Sequence, residues 1–256
     1  MSSDMTAPII PGAEPWSATG GGPHGVLVLH GFTGNPQSMR PLAEAFARAG
    51  FLVELPLLPG HGTSVEDMIE TGWSDWAAAA EETYVELASR ADEVVIAGLS
   101  MGGALTAWLG GRHPEVAGLV FVNALATEPP GVRELVQSMI DAGESVMDAI
   151  GSDIAKPDVR ELSYDATPLK PLASMFDAAD DLAASIAAIA CPVLICNSPQ
   201  DHVVPITDSD YIAEHVQGPV ERVSLENSYH VATLDHDAEL IERRAVAFAQ
   251  RVTQRG

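Results

Sequence analysis

The sequence predicts an α/β fold with a mostly parallel central sheet and helices on both of its faces. Short apolar, β-branched runs such as 25–29, 94–96 and 193–196 have the length and composition of buried strands. Helical patterns separate these runs, and strands that alternate with helices form parallel sheets that are covered on both faces. The 256 residues, 46% of them hydrophobic, are enough for one sizeable domain of this kind.

The predicted elements follow one another regularly until the middle of the chain. After a Gly- and Pro-rich lead-in with a short strand, the predicted strands cover 25–29, 51–56, 94–96, 119–123, 193–196 and 220–225, and the predicted helices cover 41–49, 75–89 and 104–109. Between Leu125 and about Ala190 no strand pattern occurs, and this stretch is too long for an ordinary loop. We therefore expect a core over 1–125 and 190–256, and a small helical cap inserted over 126–189.

The segment VVIAGLSMGG, Val94–Gly103, places a G-x-S-x-G motif between a predicted strand and a predicted helix. A nucleophile elbow requires this order, because a strained turn exposes its serine where the strand ends. Gly98 and Gly102 leave room for such a turn. We therefore expect Ser100 to be a nucleophile, at a helix N-terminus that favours developing negative charge.

A serine nucleophile needs a base and an acid that orients the base. In this kind of fold the acid and then the histidine follow the serine along the chain. Asp201 comes after one predicted strand and His230 after the next, and the carboxyl ends of parallel strands meet at one edge of a sheet. The order Ser100, Asp201, His230 predicts a catalytic triad. Glu226 is the alternative acid, although it lies close to His230 along the chain.

Two backbone N–H groups are needed to stabilise the oxyanion of an acyl transfer. The residue after the nucleophile, here Met101, supplies one of them, and a loop after an early strand supplies the other. That loop reads HGFTG, and we expect Phe32 in it to donate its N–H while its ring walls the acyl pocket. His30 is expected to support this loop. The alternative interpretation of His30-Gly31 is an ordinary strand-to-helix turn without a role in oxyanion binding.

The formal net charge of −23, from 36 acidic and 13 basic residues, argues against nucleic-acid binding and against attraction to anionic membranes. The polar, acidic start of the chain is unlike a secretory signal, and no apolar run reaches the roughly 18 residues of a membrane span. Cys191 and Cys196 would face opposite sides of a strand, which argues against a disulfide. We therefore expect a cytoplasmic protein, without a metal site.

Several motifs, spread over nearly the whole chain, resemble those of the α/β-hydrolase family, and within it the bacterial monoacylglycerol lipases and their carboxylesterase relatives. The G-x-S-x-G segment is common to the whole superfamily. Narrower matches are the HGFTG loop, the segment SYHVATLD at Ser228–Asp235 and the cap stretch KPDVREL at Lys156–Leu162. The resemblance implies an α/β-hydrolase fold and a serine hydrolase that cleaves monoacylglycerol into fatty acid and glycerol.

The resemblance also implies roles for two cap residues. Glu161 stands where the family has a glutamate that contacts glycerol, and Ile150 matches an apolar residue that lines the acyl route. Arg160 is an alternative partner of Glu161, in a surface ion pair. No cofactor is implied. The expected partner is a small lipid ester, without nucleic acid or stable membrane insertion; the cap allows transient contact with a lipid interface, and the chain is expected to be a monomer or a homodimer.

Two other functions are compatible with the same residues. A general carboxylesterase for short or medium acyl chains would share every catalytic residue. A hydrolase-like receptor would bind its ligand without turnover, but such proteins often lack a triad member, and all three are present here. Haloalkane dehalogenases and epoxide hydrolases use an aspartate nucleophile, so Ser100 argues against both.

Overall fold

The computed structural model describes residues 7–149 and 151–254. The strands are β1 (Trp16–Ala18), β2 (Gly25–Leu29), β3 (Leu52–Leu55), β4 (Val94–Leu99), β5 (Gly118–Val122), β6 (Val146–Asp148), β7 (Ala166–Pro168), β8 (Val193–Asn197) and β9 (Val220–Ser224). The helices are α1 (Pro36–Arg48), α2 (Val65–Ile69), α3 (Trp73–Ala88), α4 (Met101–Arg112), α5 (Val132–Asp141), α6 (Leu169–Asp177), α7 (Ala179–Ala188), α8 (Ile206–His215) and α9 (Ala238–Thr253).

Seven strands form one sheet in the order β1-β3-β2-β4-β5-β8-β9. β1 pairs antiparallel with β3, and the other neighbouring strands of this sheet pair in parallel. Since the parallel strands point the same way, the loops after β2, β4, β5, β8 and β9 meet at one edge. That edge carries the residues predicted for the site.

The inner strand β2 explains why helices cover both faces of the sheet. All five of its residues are buried. Leu27 and Leu29 pack in one apolar cluster with side chains of α3 and α4, whereas Val26 and Val28 pack in another with side chains of α1 and α9. Neighbouring side chains of a strand point to opposite faces of the sheet. A strand whose residues are all apolar therefore needs a layer of helices on each face. The predicted α/β fold with a mostly parallel sheet is confirmed.

The first helix begins earlier than the sequence pattern predicts. We expected it to start at Pro41, but α1 begins at Pro36, because Asn35 caps it and accepts the Gln37 N–H on its side-chain oxygen at 3.1 Å. Proline at the first helical position is favourable, since no N–H is needed there. Pro41 lies inside the helix.

The stretch predicted as a helical cap, residues 126–189, also contains a short antiparallel pair, β6–β7. Three-residue strands leave no periodic pattern in the sequence. α5, β6 and α6 share a small apolar cluster around Val136, Leu169 and Phe176. α7 instead packs against α4 of the core, where Arg112 and Asp181 form an ion pair at 2.7 Å. The division of the chain into core and cap stays a prediction.

The longest helices, α3 and α9, have 16 residues each. A helix that spans a bilayer needs about 20 predominantly apolar residues. Throughout the described part of the chain, no helix has both the length and the apolarity to cross a membrane.

Candidate active site

The backbone of Ser100 has the strained conformation that the G-x-S-x-G motif predicts. It lies between the end of β4 and the start of α4 with φ 55° and ψ −118°, in a region that side-chain-bearing residues rarely adopt. The Ser100 N–H donates to the Val122 carbonyl at 3.1 Å, and the Ser100 carbonyl accepts from Gly103 and Ala104 at 2.9 and 3.1 Å. These bonds hold the turn, so that the side chain projects from the carboxyl edge of the sheet.

The two glycines of the motif are required by close approaches of the backbone. A Cβ atom on Gly98 would overlap the carbonyl of Gly102, and a Cβ atom on Gly102 would overlap the carbonyls of Leu29 and His30. Helix α4 therefore lies directly against strands β2 and β4. Any larger residue at either position would push the helix, and Ser100 with it, away from the sheet.

His230 and Asp201 lie side by side, as the sequence predicts. The Nδ1 atom of His230 is 2.8 Å from Oδ2 of Asp201, and the two side chains are only 8% and 2% exposed. The other carboxylate oxygen of Asp201 accepts the N–H groups of Val203 and Val204, both at 2.8 Å. Asp201 is therefore fixed by its own loop and presents one oxygen to the imidazole. Glu226, the alternative acid, instead accepts from the Ser224 hydroxyl at 2.6 Å.

Ser100 lies where two cavities of different character meet. A small cavity of about 30 Å³ is lined by Ser100, His230 and Glu161 among others. A larger cavity of about 470 Å³ is lined mainly by apolar side chains of the predicted cap and of the predicted core, such as Leu125, Val132, Met147, Leu172, Met175 and Phe176. Ser100, Phe32 and Val203 line both. Within residues 7–149 and 151–254, no hydrogen bond yet joins the Ser100 hydroxyl to the His230 imidazole.

The predicted oxyanion donors flank Ser100. Met101 is the first residue of α4, and Phe32 lies in the loop after β2, where its ring packs edge-on against Trp76 at 5.7 Å between centroids. Among the described residues, neither of these N–H groups donates to a protein acceptor. Gly31 brings the loop within van der Waals distance of Ser100, since a Cβ atom there would lie 3.4 Å from the Ser100 Cβ.

His30 supports the oxyanion loop through both ring nitrogens. Its Nδ1 lies 3.0 Å from the Gly31 carbonyl oxygen, and its Nε2 lies 3.2 Å from the Leu58 N–H. Only the tautomer with the proton on Nδ1 satisfies both contacts. Burial lowers the pKa of His30 to about 4, so the ring is neutral at physiological pH. The adjacent ring of His61, 4.9 Å away between centroids, is also buried, and its pKa is likewise lowered by burial.

Glu161 reaches the small cavity from the predicted cap and lies against Gly34 of the predicted oxyanion loop. Burial raises the pKa of its carboxyl, an effect that the Ser38 hydroxyl and the charge of His230 partly offset. Its neighbour Arg160 forms no ion pair with it among the described residues, so the structure gives no support to the alternative surface pairing. Ile150, the other predicted cap residue, lies outside the described residues.

Sequence reasoning missed the polar residues that hold the backbone of the site. Asn123 is buried after β5 with φ 42°, and its side-chain amide donates to the His230 carbonyl at 2.7 Å and to the Ser198 hydroxyl at 3.1 Å. Asp235 lies in a motif used for the family resemblance and Asp153 just before another, but nothing local indicates what these two carboxylates bind. An unusual polar residue directly after a buried strand was the one available signal for Asn123.

The model of the alpha/beta hydrolase family matches residues 26–243. The chain belongs to the α/β hydrolase family. Among curated proteins, this hydrolase is 46% identical over 244 residues to the thermostable monoacylglycerol lipase of Bacillus sp. (strain H-257), covering 94% of this chain and 96% of the relative. It is 26% identical over 237 residues to a carboxylesterase of Bacillus subtilis (strain 168), covering 91% and 94%.

Solved structures agree with the α/β-hydrolase fold. A structure from work on the metagenome-derived lipolytic enzymes LipS and LipT superposes on this hydrolase with a TM-score of 0.91 and 42% identity, covering 95% of this chain and 100% of the other. The monoacylglycerol lipase of Paleococcus ferrophilus gives a TM-score of 0.74 at 20% identity, covering 93% and 99%. The second match is evidence for the fold alone.

Proposed function

We propose that this α/β hydrolase is a serine esterase that cleaves monoacylglycerol into fatty acid and glycerol. One observation carries the proposal: Ser100, on its strained turn, faces both a large apolar cavity and the small cavity that contains His230, whose Nδ1 is 2.8 Å from Asp201. An apolar acyl chain fits the first cavity, and the second, although small in this structure, presents the polar groups that an alcohol would contact. The likeness to a monoacylglycerol lipase at 46% identity supports the same substrate class.

Acylation would use these groups in order. The ester carbonyl oxygen binds between the N–H groups of Phe32 and Met101. A rotation of the Ser100 side chain brings its hydroxyl to Nε2 of His230, since hydrogen bonds of this kind often form only with substrate present. His230 takes the proton as Ser100 attacks, and Asp201 holds the ring and stabilises its positive charge. The tetrahedral intermediate expels the alkoxide, which takes the proton from His230 and leaves as glycerol.

Deacylation would repeat the sequence with water. Water enters the space that glycerol leaves, and His230 removes its proton while the oxygen attacks the acyl carbon. The bond to the Ser100 oxygen breaks, and that oxygen regains its proton from His230. The fatty acid then leaves the apolar cavity. Every proton passes through one imidazole, and no cofactor takes part. We still expect the protein to catalyse this reaction in the cytoplasm, as a monomer or a homodimer.

Ser100→Ala tests the nucleophile. We expect turnover of a p-nitrophenyl ester to fall by about 10⁴-fold or more, while circular dichroism and the melting temperature stay near those of the unchanged protein. Ser74→Ala is the matched control, because Ser74 is an exposed serine of α3. A fluorophosphonate probe should label the unchanged protein at Ser100. A folded Ser100→Ala variant with full activity would contradict the proposal, and an unlabelled Ser100 in the unchanged protein would favour the ligand receptor.

Glu161→Gln tests the alcohol side of the site. A partly buried carboxylate that bonds to glycerol hydroxyls contributes more than a neutral amide, so we expect kcat/KM for monolauroylglycerol to fall about 10-fold. For p-nitrophenyl laurate, which has the same acyl chain and no glycerol, we expect less than about a two-fold change. Glu144→Gln, an exposed glutamate of the cap region, is the control. Equal losses on both esters would rule out glycerol recognition by Glu161.

The general carboxylesterase remains the second candidate, because a relative at 26% identity has that name. Turnover of monolauroylglycerol, p-nitrophenyl butyrate and a triacylglycerol by the unchanged protein separates the two. The proposed function requires the monoacylglycerol to have the highest kcat/KM of the glycerol esters. A clear preference for the short aryl ester, with negligible monoacylglycerol turnover, would select the carboxylesterase.

A further inference from the structure

The segment Ser152–Lys156, called the strap below, lies against both loops that carry the proposed acid and base. Oδ2 of Asp153 accepts the backbone N–H of His230 at 3.0 Å and that of His202 at 3.2 Å. Its Oδ1 lies 2.8 Å from Nδ1 of His202. The Asp153 carbonyl also accepts the N–H of Val231 at 3.0 Å. Asp153 thus binds the main chain of His230, the proposed base, and of His202, which follows the proposed acid Asp201.

A second carboxylate, on the core side, accepts hydrogen bonds from backbone N–H groups of the strap. Asp235 is almost completely buried, and its Oδ2 accepts the N–H groups of Ala155 at 2.7 Å and Tyr229 at 2.9 Å. Its Oδ1 accepts those of Lys156 and His236, both at 2.8 Å. Asp235 therefore fixes the strap to the loop that carries His230, and Asp153 fixes that loop to the strap.

We infer that Asp153 is a positioning residue, which aligns the proposed base and acid by holding the main chain of His230 and His202 against the docked strap. The inference rests on the proposed serine-esterase function, because it needs the imidazole of His230 to act on Ser100. It assigns the strap a part in the chemistry in addition to any part in binding the substrate.

The backbone of His230 shows why a contact from the strap matters. From the core side, Asn123 donates to the His230 carbonyl at 2.7 Å, and from the strap side Asp153 accepts the His230 N–H. Without the Asp153 carboxylate, the Tyr229–His230 peptide is held on its carbonyl side alone, by the Ser198 hydroxyl at 2.9 Å and the Asn123 amide at 3.2 Å, so its N–H side can tilt. A displacement of about 1 Å at the reacting atoms costs on the order of 100-fold in rate. The Asp153 side chain is 15% exposed, so water competes poorly for its bonds.

A purely structural role would affect other quantities. If Asp153 only anchored the cap region, its loss would lower the melting temperature and raise KM through the loosened wall of the apolar cavity. If Asp153 positions the base, its loss lowers kcat. KM then stays nearly unchanged, because the cavity wall formed by α5, β6 and α6 keeps its own apolar cluster. The two roles are therefore separated by a comparison of kcat with KM.

Asp153→Ala is the main test. We expect kcat on p-nitrophenyl butyrate to fall about 10- to 100-fold with KM within about two-fold, and fluorophosphonate labelling of Ser100 to slow in parallel. Asp153→Asn keeps one acceptor oxygen and should retain an intermediate kcat. Amide hydrogen exchange should quicken at residues 202 and 230 but not along β8 and β9. An unchanged kcat in a folded Asp153→Ala variant, or a loss confined to KM, would overturn the inference.

Two controls make the result specific. Asp158→Asn removes the same charge from the same stretch of chain, at an exposed aspartate with φ 62° that asparagine tolerates, and should leave kcat unchanged. His202→Ala removes the side-chain contact to Asp153 but keeps the backbone N–H, so kcat should stay within about three-fold of the unchanged protein. A full loss in His202→Ala would contradict backbone holding. If instead Ser100→Ala retains activity, the proposed function itself has failed.

Discussion

The His30 side chain determines which way one peptide unit faces. The Gly31 carbonyl and the Phe32 N–H belong to the same planar trans peptide, so they point in opposite directions. His30 Nδ1 binds that carbonyl at 3.0 Å, and the Leu58 N–H at 3.2 Å from Nε2 fixes the tautomer. The ring therefore turns the Phe32 N–H away from itself, and this fixed direction is what an oxyanion donor at Phe32 would require. A buried neutral histidine serves this purpose without placing a charge beside the oxyanion.

His30→Leu should therefore impair the oxyanion donor without touching the triad. A lost oxyanion donor costs roughly 3–4 kcal/mol of transition-state stabilisation, and a misdirected one costs part of that. We expect kcat on a p-nitrophenyl ester to fall about 10- to 100-fold with little change in KM. Steady-state kinetics measure this, with circular dichroism to verify folding. A folded variant with the kcat of the unchanged protein would mean that the Gly31–Phe32 peptide keeps its direction without His30.

At the scale of elements, the parts that sequence reasoning predicted are those that local physics determines. β2, β4, β5 and β8 are buried on both faces, so they read as continuous apolar runs, and the elbow motif is dictated by backbone crowding at Gly98 and Gly102. The position of α7 against α4 depends on contacts between distant residues, such as the close approach of Gly111 to the Ser185 backbone, which no local pattern contains. Asp153, Asp208 and Asp235 were missed for the same reason, because each binds backbone groups more than 75 residues away.

Buried carboxylates join the predicted cap to the core at its first residues as well as at the strap. Asp208 of α8 accepts the N–H groups of Ala126 at 2.7 Å and Thr127 at 3.0 Å, and also the Thr127 hydroxyl at 2.6 Å. The side chain is buried, so no water replaces these bonds when the carboxylate is removed. The chain therefore leaves β5 in a fixed direction before α5 begins.

Asp208→Ala should destabilise this junction. Two buried N–H groups and a hydroxyl would lose their acceptor, so we expect the free energy of unfolding to fall by about 3 kcal/mol. Urea unfolding measures the loss, and limited proteolysis should show earlier cleavage near residues 127–131. Asp210→Ala is the control, since its ion pair with Arg222 at 2.6 Å is exposed and contributes under about 1 kcal/mol. Equal losses in both variants would show that charge, and not the buried bonds, matters.

For the whole molecule, acid stability depends on two neutral imidazoles in one buried site. His30 and His61 are essentially inaccessible, and their rings lie edge-to-face with centroids 4.9 Å apart. Within the described residues, Nε2 of His61 has no hydrogen-bond partner. Protonation of either ring would bury a positive charge, and protonation of both would bury two adjacent ones. Hence burial lowers the pKa of His30 to about 4 and that of His61 well below its usual value.

Stability should consequently fall as the pH falls from about 6.5 to 4. Above pH 6.5 both rings are neutral in the folded and the unfolded chain, so they add no pH dependence. Below pH 6.5 the two histidines take up protons in the unfolded chain but stay neutral in the folded one. For His30, whose pKa in the folded protein is about 4, this difference lowers the free energy of unfolding by about 3 kcal/mol at pH 4. Urea unfolding at half-unit pH steps measures the slope. His61→Asn, which cannot titrate, should flatten it, whereas His215→Asn on the exposed end of α8 should leave it unchanged. An equal slope in all three proteins would mean that the carboxylates, and not this histidine pair, govern acid unfolding.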